Sequence, residues 1–183
     1  LLSYALTNTF CDSFLYYRCD FFNFKIVNNN DKQRFKLRQN PHTNFLEIKA
    51  NQGHTISEVS DADLIPITEV IFILLFVHGT YLKCWPQIKH EGLSRMKRKH
   101  IHLAKGTLDD ARVISGVRRD TEVHIYIDLA RALADAVKFY ESENGVILTS
   151  GNDKGYLEPK YFAKAINIRT GNSIQINGCT TSG

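Results

Sequence analysis

The sequence predicts an α+β fold built mainly from short strands, and three observations carry that expectation. Apolar residues alternate with polar ones at Phe35 and Leu37, at Leu46, Ile48 and Ala50, and at Val123, Ile125 and Ile127. A period of two marks a strand with one buried face. Leu129, Leu133, Val137 and Tyr140 recur instead at helical spacing. The composition agrees, since 43% apolar and 11% aromatic residues among 183 can bury a core in one domain or two small lobes.

In chain order, residues 11–24 are dense in Phe and Tyr without clean periodicity and run into Asn28-Asn29-Asn30-Asp31. Two strands follow around the turn Asn40-Pro41-His42, and Asn51-Gln52-Gly53-His54 breaks the pattern. Residues 60–66 read as a connection, and the lobe boundary is placed there. Residues 70–77 read as a buried strand ending at a turn, His78-Gly79-Thr80. Residues 81–93 are expected to be helical with Gly92 near the end, and residues 123–127 to form a half-buried strand. The helix of Leu129 to Tyr140 precedes a strand over residues 145–149, closed by Ser150-Gly151-Asn152-Asp153. After Ile168 the Gly-, Ser- and Thr-rich tail, residues 169–183, is expected to be flexible.

The formal charge is +4 with a pI near 8.8, compatible with a polyanionic partner without demanding one. Its distribution says more: Arg95, Lys97, Arg98 and Lys99 crowd together just ahead of His100 and His102. Cys11, Cys19, Cys84 and Cys179 are scattered, with no close pair of the kind that grips zinc, and are read as thiols of an intracellular protein, cytoplasmic or nuclear. The longest apolar run, residues 70–77, falls far short of the ~20 residues that cross a bilayer, so no membrane partner is expected.

Four short segments could carry chemistry. Lys32 and Arg34 flank Gln33 just before a strand and could grip a phosphate, Arg through its planar fork. A solvated turn explains the same residues, and pattern alone favours it. In His78-Gly79-Thr80, Gly79 admits a ligand to the backbone while His78 and Thr80 offer hydrogen bonds; an ordinary strand-to-helix turn is the bland alternative. His100 and His102 face the same way on an extended segment with Ile101 turned to the core. No acidic or thiol ligand stands at a helpful spacing, so phosphate or nucleotide contact with Arg98 is preferred to metal, with a basic surface loop as the rival. Ser115-Gly116-Val117-Arg118 suits a phosphate cradle or a simple turn equally well.

Together, Asp31-Lys32-Gln33-Arg34-Phe35, Ala50-Asn51-Gln52-Gly53-His54, His78-Gly79-Thr80, Met96-Lys97-Arg98-Lys99-His100-Ile101-His102-Leu103-Ala104 and Ser115-Gly116-Val117-Arg118 resemble the tRNA 2′-phosphotransferase family. Asn144-Gly145-Val146-Ile147-Leu148-Thr149 and Gly155-Tyr156-Leu157-Glu158-Pro159-Lys160-Tyr161-Phe162 extend the likeness in the same order, over residues 31–166. Leu2-Ser3-Tyr4-Ala5-Leu6 is similar to the start of that family's first helix.

The resemblance implies a truncated winged-helix-like, RNA-binding lobe over residues 1–62 and an ADP-ribosyltransferase-like, NAD-binding lobe over residues 63–168. It implies an enzyme that transfers a splice-junction 2′-phosphate from tRNA to NAD. The phosphate attacks the nicotinamide ribose and expels nicotinamide. A neighbouring hydroxyl then attacks phosphorus, leaving RNA 2′-OH and ADP-ribose cyclic phosphate. By the same resemblance Arg34 and Arg98 are the catalytic arginines, and Lys32 joins Arg34 on the RNA phosphate. His78, Gly79, Thr80 and His102, with Ser115, Gly116 and Arg118, are assigned to NAD. NAD is consumed as a co-substrate, no metal is required, and the protein is expected to act on 2′-phosphorylated tRNA or RNA as a monomer.

One departure bears on activity. Where the family carries an Arg-His pair that engages the moving phosphate, this chain has Thr7 and Asn8, neither of which carries positive charge. Weak or absent turnover is therefore expected of the polypeptide as written. The alternatives are an RNA- or NAD-binding remnant and an ADP-ribosyltransferase that stops before dephosphorylation.

Overall fold

In the computed structural model of the protein, the described residues are 17–18, 27, 29–51, 64–69, 76–106 and 120–176. They form two antiparallel sheets, a two-stranded ribbon and short helices, in keeping with the α+β class.

The smaller sheet contains β1 (Tyr17–Arg18), β2 (Phe35–Gln39) and β3 (Leu46–Ala50), with β3 in the centre. β2 and β3 pair from Phe35 opposite Ala50 to Gln39 opposite Leu46. Asn40 makes the expected turn by accepting the backbone N–H groups of His42 and Thr43 on Oδ1, at 2.8 and 3.0 Å. The buried positions of β3 are its polar ones: Glu47 is 6% and Lys49 7% exposed, while Phe35 of β2 is exposed. Glu47 remains satisfied because Arg38 Nε donates to it at 3.0 Å and Asn40 Nδ2 at 2.7 Å.

β4 (Ile65–Ile67), β5 (Phe76–Thr80), β6 (Leu93–Ser94), β7 (Ile101–Lys105) and β8 (Val123–Ile127) come next in the chain. They are followed by β9 (Phe139–Glu141), β10 (Ile147–Thr149), β11 (Tyr156–Leu157), β12 (Phe162–Asn167) and β13 (Ser173–Ile174). Eight of these make one sheet in the order β13-β12-β8-β5-β7-β10-β9-β4, and β6 pairs with β11 separately. On one face Phe76, Leu103, Ile125, Phe139, Ile147 and Leu157 form the main core; on the other a smaller cluster joins Val77, Ala104 and Tyr126. Each fully buried side chain of that size contributes roughly 1.5–3 kcal/mol.

Helix α1 (Trp85–Glu91) follows a 3-10 turn at Leu82–Cys84 and has Pro86 in its first turn. Gly92 ends it at φ +96°, where a Cβ would lie 2.3 Å from the Leu157 carbonyl oxygen. Helix α2 (Leu129–Ala134) is capped by Asp128, whose carboxylate accepts the Arg131 N–H at 3.0 Å.

Five expectations need correction. His78-Gly79-Thr80 lies inside β5, paired with β8, instead of forming a turn after it. β8 is buried on both faces, with Ile125 in the main core and Tyr126 in the smaller cluster opposite, and His124 is covered too. The helix from Leu129 does not reach Tyr140: Ala136 adopts φ +59° and the chain enters β9 at Phe139. The connection at residues 60–66 contains the start of β4, an edge strand where Pro66 needs no N–H partner on its outer side. The tail beyond Ile168 is ordered at first, since β13 pairs back on β12 through a turn with Gly171 at φ +71°.

Candidate active site

β5 and β7 pair only at Phe76 opposite Lys105 and Val77 opposite Ala104. Beyond that point β5 stays on β8 up to Thr80 opposite Val123, while β7 stays on β10 from Leu103 to Ile101. The sheet opens between them. Across the opening, the His78 ring donates its Nδ1 proton to the His102 carbonyl at 2.9 Å. That bond requires the proton on Nδ1 and, in a neutral ring, leaves a lone pair on Nε2. Alternation puts His78 and Thr80 on the Phe76 face of the sheet and Gly79 and His102 on the Val77 and Ala104 face. The opening is thus flanked from both sides.

Both histidines resist protonation. Burial lowers the pKa of His78, partly offset by its bond to the His102 carbonyl. His102 is lowered to about 4, mainly by burial and then by the nearby charges of Arg98, His100 and His78. Arg98, His100, His78 and His102 therefore constitute one electrostatic cluster. His100, buried just ahead of β7, meets the Tyr140 ring edge-on with centroids 6.4 Å apart.

Arg34 stands on a separate, firmly built segment. The turn from Asn30 to Gln33 is closed by a 2.8 Å backbone bond and places Gln33 at φ +46°. Asn30 Oδ1 accepts the Arg34 N–H at 3.1 Å, and the Asn51 N–H donates to the Arg34 carbonyl at 2.8 Å. Asn51 Nδ2 also donates to the Gln33 carbonyl at 2.8 Å. Asn144, in the hairpin between β9 and β10, reaches the Lys32 carbonyl at 3.0 Å, and Lys36 pairs with Glu143 beside it. A recess of about 570 Å³ lies there, lined by Asn30, Gln33, Phe35, Lys36, Asn51 and Glu143 among others. It is not the opening between β5 and β7.

The structure thus brings His78, Gly79, Thr80 and His102 to one opening, with Arg98 within electrostatic reach of His102, and sets Lys32 and Arg34 just ahead of β2 beside the β9–β10 hairpin. Arg34 and Arg98 are both exposed, and neither guanidinium has a hydrogen bond or ion pair to an acid among the described residues. Ser115, Gly116 and Arg118 lie outside the described residues. Sequence reasoning missed Asn144 and Tyr140 as supports of the site. The Asn144-Gly145 pair is a hairpin signal that could have pointed to the first. No group of His, Cys, Asp and Glu with metal-holding geometry occurs among the described residues.

Comparison with known proteins gives this geometry a context. The model of the family described as RNA 2′-phosphotransferase, Tpt1 / KptA family, matches residues 23–151. The tRNA 2′-phosphotransferase 1 of Danio rerio is 46% identical over 147 residues, covering 79% of this chain and 65% of the relative. That of Mus musculus is 48% identical over 145 residues, covering 79% and 58%. The tRNA 2′-phosphotransferase of Saccharomyces cerevisiae is 38% identical over 131 residues, covering 69% and 56%. The matched region therefore spans less than two thirds of the length of these relatives. With well over half of its residues matched, the chain belongs to the RNA 2′-phosphotransferase, Tpt1 / KptA family.

Proposed function

We propose that the chain moves the splice-junction 2′-phosphate of tRNA onto NAD, yielding ADP-ribose cyclic phosphate, nicotinamide and RNA 2′-OH. The observation that carries this reading is the opening between β5 and β7, where two proton-poor histidines stand beside the Arg98 cation. The names of the relatives support the RNA class.

The donor set suits a dinucleotide. His78 keeps an acceptor at Nε2 for a ribose hydroxyl, and Thr80 can give or take a second bond. NAD, when bound, supplies an electrophilic ribose carbon with nicotinamide as leaving group and a hydroxyl that closes the cyclic phosphate. Because His78 and His102 remain neutral, they do not repel positive charge developing on that ribose. Arg98 and Arg34, assisted by Lys32, hold and neutralise the phosphate in this reading, so positioning and fixed cations do most of the work. Ser115, Gly116 and Arg118 complete the nucleotide site. Residues 63–168 act as an ADP-ribosyltransferase-like lobe, and residues 1–62 as a reduced winged-helix-like RNA lobe.

Thr7 and Asn8 favour a second reading, a binding remnant with impaired turnover. One assay separates the readings: incubation with NAD and a 2′-phosphorylated oligonucleotide, followed by product analysis. Cyclic ADP-ribose phosphate with RNA 2′-OH supports transfer. An ADP-ribosylated RNA phosphate that goes no further supports arrested chemistry. Binding that needs the 2′-phosphate and Arg98 but gives no product supports the remnant. Salt-sensitive binding indifferent to the 2′-phosphate, with no response to NAD, overturns them all.

A further inference from the structure

The turn that carries Arg98 is held in an unfavourable conformation. Arg98 N–H donates to the Arg95 carbonyl at 3.1 Å, closing a four-residue turn whose second residue, Met96, has φ +55°. L-residues seldom adopt that conformation without being held there. Met96 is 81% exposed, so packing on its side chain does not hold it. Its own N–H is taken up by Ser94 Oγ at 3.1 Å.

Arg95 grips the turn at both ends. Its N–H donates to the Gly155 carbonyl at 2.9 Å, and its Nη1 lies 3.4 Å from the Arg98 carbonyl. The side chain rests directly on Gly155: a Cβ there would lie 2.4 Å from Arg95 Nε, 2.9 Å from Cγ and 3.0 Å from Cδ. Gly155 is at φ +80° and is pinned by its N–H to the Asn152 carbonyl at 2.8 Å. The glycine therefore provides a seat for the arginine stem as well as a turn.

We propose that Arg95 is a positioning residue for Arg98, its guanidinium seated on Gly155 and bracing the 95–98 turn so that the Arg98 cation stays beside the opening between β5 and β7. The proposal rests on the reading of Arg98 as a phosphate ligand, and its test does not depend on turnover. After burial, the Arg98 cation is the foremost cause that holds the His102 pKa down, so His102 reports where Arg98 stands.

The experiment is an NMR titration of the His102 ring in the full chain, with thermal melts to confirm folding. Arg98→Ala sets the endpoint, expected as a rise in the His102 pKa of ~0.5 or more as the neighbouring cation is lost. Arg95→Ala should raise it part of the way. Gly155→Ala should do the same while retaining every charge, because the new methyl pushes the Arg95 stem off its seat. Met96→Gly added to Arg95→Ala should return the value towards wild type, since glycine accepts the positive φ unaided. A wild-type His102 titration in both Arg95→Ala and Gly155→Ala, with Arg98→Ala shifted, overturns the proposal alone. No shift in Arg98→Ala removes Arg98 from the cluster, and the functional reading falls with it.

Discussion

His102 shows how one residue couples the site to stability. Its folded pKa of about 4 lies below the ordinary 6.5 of an unfolded histidine. Between those values the unfolded chain takes up a proton that the folded chain refuses, so stability falls as pH drops from 6.5 towards 4. The effect is at most about 3.5 kcal/mol from this residue, and His78, shifted in the same direction, adds to it. Urea unfolding at stepped pH should show the slope, and His102→Gln should flatten it. Arg98→Ala and Arg34→Ala are expected to cost ~3–4 kcal/mol of transition-state stabilisation each, several hundredfold in rate, with little change in melting temperature. Rates of formation of ADP-ribose cyclic phosphate and RNA 2′-OH from NAD and a 2′-phosphorylated oligonucleotide check this.

At the scale of elements, glycines with positive φ are not interchangeable. Gly92 and Gly145 lie at φ +96° and +74°, yet a Cβ at Gly92 would collide with the Leu157 carbonyl while one at Gly145 would meet nothing. Gly92→Ala should therefore destabilise by more than ~2 kcal/mol and loosen the β6–β11 ribbon, whereas Gly145→Ala should cost only about 1 kcal/mol of backbone strain. Thermal melts of the two variants decide it. The same local geometry explains which elements were legible in the sequence. β2, β3 and β8 stood out as alternating runs, although the buried positions of β3 prove to be Glu47 and Lys49 and both faces of β8 are covered. β9 did not: Leu129, Leu133 and Val137 continue a helical spacing past Ala136, whose left-handed φ no alanine announces. His78-Gly79-Thr80 reads from the sequence as a turn, since a His and a Gly at the end of a strand break the apolar run that marks a buried one.

For the whole molecule, the point that matters is how the smaller sheet is tied to the larger. Asn144, 4% exposed, spans from the β9–β10 hairpin to the Lys32 carbonyl, and Lys36 reaches Glu143 alongside. Asn144→Ala should destabilise by about 1–2 kcal/mol. It should also weaken binding of 2′-phosphorylated RNA by freeing the segment that carries Arg34, which calorimetry can measure. The proposed site residues were picked out through ordered motifs distant in sequence, because phosphate and nucleotide contacts call for particular side chains. Their supports, Arg95, Asn144 and Tyr140, act through distances that only the folded chain creates. One consequence follows from β4, at the outer margin of the eight-stranded sheet. Pro66 sits opposite Tyr140 in the middle of that three-residue strand and offers no amide proton to a newcomer. A strand from another chain therefore finds no continuous template along that side, and the large sheet is protected from growing into a fibril there.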